Sequence, residues 1–324
     1  MNNPQSDIHD DEIDLLELIK VLWDEKIKIV AITAVAAFLS VIYALSQPNI
    51  FQAEALLAPA GDSGGGGMSK LAGQFGGLAS LAGVSLPDDG VNKSELGLEV
   101  LKSRKFVREF VGRHKITPQL MAVDYWDPET RILKLDADVY DEKSKTWLNK
   151  DEVPSNEEIY KTYSGIIIIE KDTTSEFVRV GFKHKSPDIA AEWTRLVIKD
   201  LNDAIRRQDI DEAESSIAYL KQQVASSPLA DLRNLFYELI QSQTEIMMLA
   251  NVREEYVFKT IDPATVPEFK SEPKRALICI LGTFLGGFLA LIYVLGRHYI
   301  RPLNSYNIHP KNKLNFERSS LEQF

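Results

Sequence analysis

Two uncharged apolar runs, one near each end, constrain this chain more than any other feature. Residues 29–45 carry no charged side chain and consist of Val, Ile, Ala, Leu and Phe with a few hydroxyls. Residues 276–296 form a second uncharged run, rich in Leu, Ile and Gly. A helix rises 1.5 Å per residue, so about 20 such residues cross a hydrocarbon core of roughly 30 Å. The second run meets that length. The first reaches it with Tyr43, Ser46 and Gln47 placed at the interface. Two buried core helices are the bland alternative. Charged brackets weigh against it: Lys26 and Lys28 beside the first run, and Lys274, Arg275 and Arg297 beside the second. Transmembrane helices are therefore expected over residues 27–47 and 276–296.

The first run could also be a cleaved signal, since Ala44-Leu45-Ser46 is a passable small-x-small site. Its length and the acidic leader before it (Asp7, Asp10, Asp11, Glu12, Asp14, Glu17) favour an uncleaved helix. Lys20, Lys26 and Lys28 precede the first run, and no Lys or Arg follows it until Lys70. Arg297, Arg301, Lys311 and Lys313 follow the second. The positive-inside rule then puts the tails, residues 1–26 and 297–324, in the cytoplasm, and the region between the helices outside it.

Composition narrows the partners. The formal net charge is −10, which argues against nucleic acid, because phosphate binding needs clustered Lys and Arg. Cys279 is the only cysteine, so no disulfide forms within the chain.

The intervening region reads as a mixed helix and strand domain over residues 48–186, then a long helical segment over 187–255. Phe51-Gln52-Ala53-Glu54-Ala55-Leu56-Leu57-Ala58-Pro59 reads as a strand leaving the membrane. Residues 61–83 include four consecutive glycines, 64–67, and read as a loop. Residues 95–113 have one helical pattern; residues 132–139, 164–171 and 175–184 read as strands. After Ser186-Pro187, a capping serine and an N1 proline, an apolar stripe runs from Ile189 to Ile205 and on to Val224. Ser227-Pro228 kinks or restarts it, and Leu229, Leu232, Leu235, Phe236 and Leu239 continue the face. Fully extended, the segment would measure about 100 Å, and its stripe would need other copies of the chain to cover it. A hairpin reversing at Pro228 would cover the stripe internally. Both remain open. Residues 256–275 read as a return strand and a proline-containing approach to the second helix.

Catalytic signatures are absent. The five histidines are scattered, and HExxH, GxSxG and Walker A patterns do not occur. The stretch after Gly296 is too short for a kinase, ATPase or sensor output domain. No enzyme activity, cofactor or metal is expected. The second apolar run does carry Gly282 and Gly286 as GxxxG with Gly287 beside it, a spacing that lets helix backbones approach. These glycines are candidate packing or partner-contact residues.

The chain resembles the Wzz-type polysaccharide co-polymerases, or O-antigen chain-length determinants. The resemblance rests on Asp11-Glu12-Ile13-Asp14-Leu15-Leu16-Glu17-Leu18 with Trp23, on residues 48–55, and on Glu99-Val100-Leu101-Lys102-Ser103-Arg104-Lys105-Phe106. It rests most specifically on Met248-Leu249-Ala250-Asn251-Val252-Arg253-Glu254-Glu255-Tyr256, then Asp262-Pro263-Ala264 with Pro267, and Pro273-Lys274-Arg275 before the second run. Lys270 stands near where the family often has a further proline. The resemblance implies an α+β membrane protein with a periplasmic α/β base and a long helical extension, in the Gram-negative inner membrane. It implies a homo-oligomeric ring that sets polysaccharide chain length beside a separate membrane polymerase, with lipid-linked glycan and the bilayer as further partners. Membership of a capsule or exopolysaccharide export system with a separate tyrosine kinase is the alternative.

Overall fold

In a computed structural model, residues 21–60, 92–149, 151, 153–172 and 174–305 are described. The glycine-rich stretch 61–83, the acidic leader and the end of the C-terminal tail lie outside the described residues. The chain divides into two compact units: Met1–Gln47 with Pro273–Phe324, and Pro48–Glu272.

The first unit is a helix pair. Helix α1 spans Lys26–Ser46, and α8 spans Arg275–Ser305. Both are long and apolar enough to cross a membrane, α8 over Arg275–Arg297. Little of either helix is covered by protein: Val35, Phe38, Leu39, Ile42, Leu281, Phe284, Leu285 and Phe288 are all exposed. Their hydroxyls turn inward along the backbone. Thr33 Oγ1 donates to the Ile29 carbonyl at 2.8 Å, Ser40 Oγ to Ala37 at 2.8 Å, and Thr283 Oγ1 to Cys279 at 2.7 Å. Such back-bonding satisfies these three hydroxyls without help from lipid.

The second unit is built on a four-stranded sheet in the order β6-β7-β1-β8. Its strands are β1 (Phe51–Pro59), β6 (Ile167–Lys171), β7 (Val178–His184) and β8 (Phe258–Asp262), and every pairing is antiparallel. Alternation places Phe51, Ala53, Ala55 and Leu57 on one buried face. Opposite them on β7 stand His184, Phe182, Val180 and Val178. Two small hairpins, β2 (Val123–Asp127) with β3 (Ile132–Leu135) and β4 (Tyr140–Asp141) with β5 (Thr146–Trp147), lie outside this sheet.

Helices α2 (Lys93–Lys102), α3 (Arg104–His114), α4 (Thr117–Met121) and α5 (Asn156–Ile166) complete the base. The single helix expected over 95–113 is two helices. Ser103 takes an extended conformation, ψ 141°, and its hydroxyl accepts from Phe106 N, so it caps α3 instead of continuing α2. The strand expected over 164–171 begins only at Ile167, because α5 runs on through Ile166. The strand expected over 132–139 is regular only through Leu135.

Aromatic rings fill the core. Phe182 meets Trp193 edge-on at 5.8 Å and Tyr163 at 5.4 Å, and stacks on Phe110 at 6.3 Å. Leu57, Leu101, Val180, Val197, Leu201 and Phe258 are wholly buried around them.

Helix α6, Pro187–Ser226, opens as its capping residues predict, with Ser186 Oγ accepting from Ile189 N. Its first turns cross the sheet where Ala53, Ala190 and Ala191 make a close approach possible. At 40 residues it is about 60 Å long. It stops at Ser227, which is extended, and Pro228 cannot continue the hydrogen-bond ladder. Helix α7, Ala230–Val252, returns along α6. The chain therefore reverses at residues 227–229. Leu220 packs with Leu235, Phe236 and Leu239, so this part of the stripe is covered internally. The second helix starts after Leu229, and Ser227-Pro228 is the connection, not its cap.

Candidate functional site: the glycine seam and the Asp262 to Pro273 segment

Among the described residues, no cluster of three or more His, Cys, Asp or Glu is placed to hold a metal. Burial lowers the His184 pKa, and the two ring nitrogens are both engaged: Nε2 pairs with the Gln119 carbonyl and Nδ1 accepts from Ser186 N, each at 3.0 Å. Asp200 accepts from Arg113 at 2.8 Å and lies 3.0 Å from His114 Nε2, tying α3 to α6. Both arrangements brace the fold.

The sequence-predicted glycines lie on the seam between α1 and α8. A Cβ on Gly282 would sit 2.5 Å from the Ser40 Cβ, and one on Gly286 would overlap the Ala36 methyl. A Cβ on Gly287 would meet Thr33 Oγ1 at an ordinary 3.6 Å. The partners fall in sequence as the glycines rise, so the helices run antiparallel. Thr33, Ala36 and Ser40 are the complementary stripe. Their three- and four-residue spacing of small residues was the available signal, and only the glycines were singled out from sequence.

The second predicted set lies in the other unit, apart from Pro273. Asp262 ends β8, paired with Leu56. Ala264 is buried, and its carbonyl accepts from Arg195 Nε at 2.9 Å. Pro263 is exposed, and Pro267 and Pro273 are partly so. Beyond Pro267 the chain is pinned to the start of the unit. Ser271 N donates to the Ile50 carbonyl at 2.9 Å, Ile50 N to the Glu272 carbonyl at 3.0 Å, and Lys270 Nζ to Asn49 Oδ1 at 3.2 Å. Lys183 pairs with Glu272 at 2.6 Å. The two ends of the unit are thereby held side by side.

Two linkages here escaped sequence reading. Asn202, buried in the α6 stripe, accepts from Val257 N and Phe258 N at 2.7 and 3.0 Å and donates to the Phe258 carbonyl at 3.1 Å. A polar residue between Ile198, Leu201 and Ile205 was its only sequence mark. Lys93, Asp209 and Tyr256 form a triad: Lys93 Nζ to Asp209 at 2.8 Å, Tyr256 OH to Asp209 at 2.6 Å, and Lys93 to Tyr256 OH at 3.1 Å. Burial alone would lower the Lys93 pKa, but its bonds to Asp209 and Tyr256 outweigh that and raise it.

A cleft of about 710 Å³ beside this segment is lined by Arg195, Lys199, Asn202, Arg206, Glu254 and Pro263 among others. Its mixed charge suits a polar surface contact.

Residues 11–113 match the family model "Chain length determinant protein", Wzz. A stretch of 57 residues, 18% of the chain, is 39% identical to the tyrosine-protein kinase etk of Escherichia coli strain K12, and equally to that of strain O157:H7. That stretch spans 8% of the kinases' length. A solved structure of a full-length bacterial polysaccharide co-polymerase aligns with 91% of this chain and all of its own, at 14% identity and a TM-score of 0.36. A fragment of the WzzB co-polymerase from Salmonella Typhimurium aligns with 69% of this chain and all of its own, at 12% identity and a TM-score of 0.28.

Proposed function

We propose that this chain is a polysaccharide co-polymerase of the Wzz type, a non-enzymatic regulator that sets the chain length of a surface polysaccharide. The observation that carries this reading is the family match over residues 11–113, which includes the first apolar helix and strand β1. The paired apolar helices bracketing a mixed α/β unit support it. The chain sits in the inner membrane with both tails cytoplasmic and residues 48–275 periplasmic. It works as a homo-oligomer beside a separate membrane polymerase acting on lipid-linked glycan, here the lipopolysaccharide O-antigen. The glycine seam holds the two spans together, and the Asp262, Pro263, Ala264, Pro267 and Pro273 segment carries the chain from the last strand toward the second span.

Deletion of the chain tests this. Polymer synthesis should continue with its length distribution broadened, as read on a lipopolysaccharide gel. Complete loss of polymer would sink the reading.

A second reading has one observation in its favour, the stretch shared with the etk kinases. In it the chain serves capsule or exopolysaccharide export with a separate tyrosine kinase. Co-purification separates the two: a polymerase supports the first reading, and a tyrosine kinase or outer-membrane channel supports the second.

A further inference from the structure

We propose that Phe269 is a membrane anchor, inserting its ring at the boundary between phospholipid headgroups and acyl chains. This rests on the reading of α1 and α8 as membrane spans.

Phe269 is 83% exposed, the most exposed of the large apolar side chains among the described residues of the second unit. It sits on a bend at residues 268–269, outside any strand or helix. The neighbouring backbone holds the bend in place. Two residues on, Ser271 N is bonded to the Ile50 carbonyl; one residue on, Lys270 reaches Asn49. Asn49 and Ile50 follow the end of α1 by three and four residues, and Arg275 begins α8 six residues after Phe269. Consecutive residues advance at most about 3.6 Å, so the bend lies within roughly 22 Å of chain from the second span and its tethers within about 14 Å of the first. A benzyl group held there in water gains by entering the interface, where aromatic and aliphatic side chains bury to a depth of about 5–10 Å. Lys270 beside it, with Lys274 and Arg275 just beyond, offers cations to lipid phosphates. A second copy of the chain would equally bury the ring, and the experiment distinguishes the two.

The full chain carrying C279A receives one cysteine, at Phe269, at Phe288 on α8, or at Tyr219 on α6, each labelled with an environment-sensitive nitrobenzoxadiazole dye. Phe288 and Tyr219 are 55% and 59% exposed. The proteins are reconstituted in phosphatidylethanolamine–phosphatidylglycerol vesicles with or without nitroxide-labelled lipid. The label at 269 should shift to the blue and lose at least about twofold in intensity to a nitroxide near the headgroup, less to one deep in the chain. The label at 288 should respond most to the deep nitroxide, and that at 219 to neither. A water-like, unquenched label at 269 beside a quenched one at 288 would overturn the anchor and leave the spans intact. No quenching at 288 would overturn both. Protection of 269 from iodide without nitroxide quenching would assign the ring to a neighbouring subunit and overturn the lipid assignment.

Discussion

Gly282 packs against Ser40 so closely that a methyl group at 282 would lie 2.5 Å from the Ser40 Cβ. The same holds for Gly286 and Ala36, while Gly287 and Gly296 have room, with nothing within 4 Å of a Cβ at 296. An order of tolerance follows. Gly282→Ala and Gly286→Ala should each destabilise the helix pair by about 1–3 kcal/mol, the usual range for forcing a methyl into a packed contact. Gly287→Ala and Gly296→Ala should be near neutral. Thermal melts of the detergent-solubilised protein give the order, and polysaccharide length profiles show whether the seam matters to function. Equal melts for all four variants would mean that the seam does not form as described.

Asn202 satisfies three backbone groups at the point where the chain returns to the sheet. Asn202→Ala leaves two N–H donors buried without an acceptor. The cost should be about 2–4 kcal/mol, since each unsatisfied buried donor costs roughly 1–3 kcal/mol. Denaturant unfolding of the full chain reads it. Asn202→Asp, which keeps an acceptor oxygen for the two N–H groups but loses the donor to the Phe258 carbonyl, should fall between.

The α6–α7 hairpin depends on a small apolar cluster. Phe236→Ala or Leu239→Ala should weaken it by about 2–4 kcal/mol. The cluster is separate from the core of the base, which makes the effect local. Faster protease cleavage near residues 227–229, with the base unit still resistant, is the expected result.

His184 makes the protein acid-sensitive. Burial lowers its folded pKa below the ordinary 6.5, and the Ser186 N–H donated to Nδ1 needs that nitrogen unprotonated. The unfolded chain binds a proton near 6.5 that the folded chain refuses. Stability from this residue is thus complete above that pH and is lost as pH falls through it toward the lowered folded value. Melting temperature should drop as pH falls below about 6.5. His184→Gln, neutral throughout, should flatten that slope, as pH-resolved thermal melts would show.

The elements legible in the sequence were those whose signal is local. The two apolar runs, the Phe51–Pro59 strand and the Ser186-Pro187 helix start each carry their cause within a few residues: length without charge, alternation, a cap. The site was half legible. GxxxG marks a helix face, and Asp262 to Pro273 marks a stiff approach, but neither names its partner. Ser40, Ala36 and Thr33 lie more than 200 residues from their glycines, and Ile50 is as far from Ser271.

Sequence by itself determined that this chain holds two membrane-length helices around a mixed helix and strand unit, because apolar length and periodicity are properties of neighbouring residues. The split of residues 95–113 at Ser103 is local, since its hydroxyl caps Phe106 N and competes with the helix. Tertiary structure alone decided two things. It reversed the long helix at Pro228 instead of extending it. It set the glycines of α8 against α1. In both cases the deciding energy is a contact between separate segments, and a periodic stripe says that a face will be buried without saying against what.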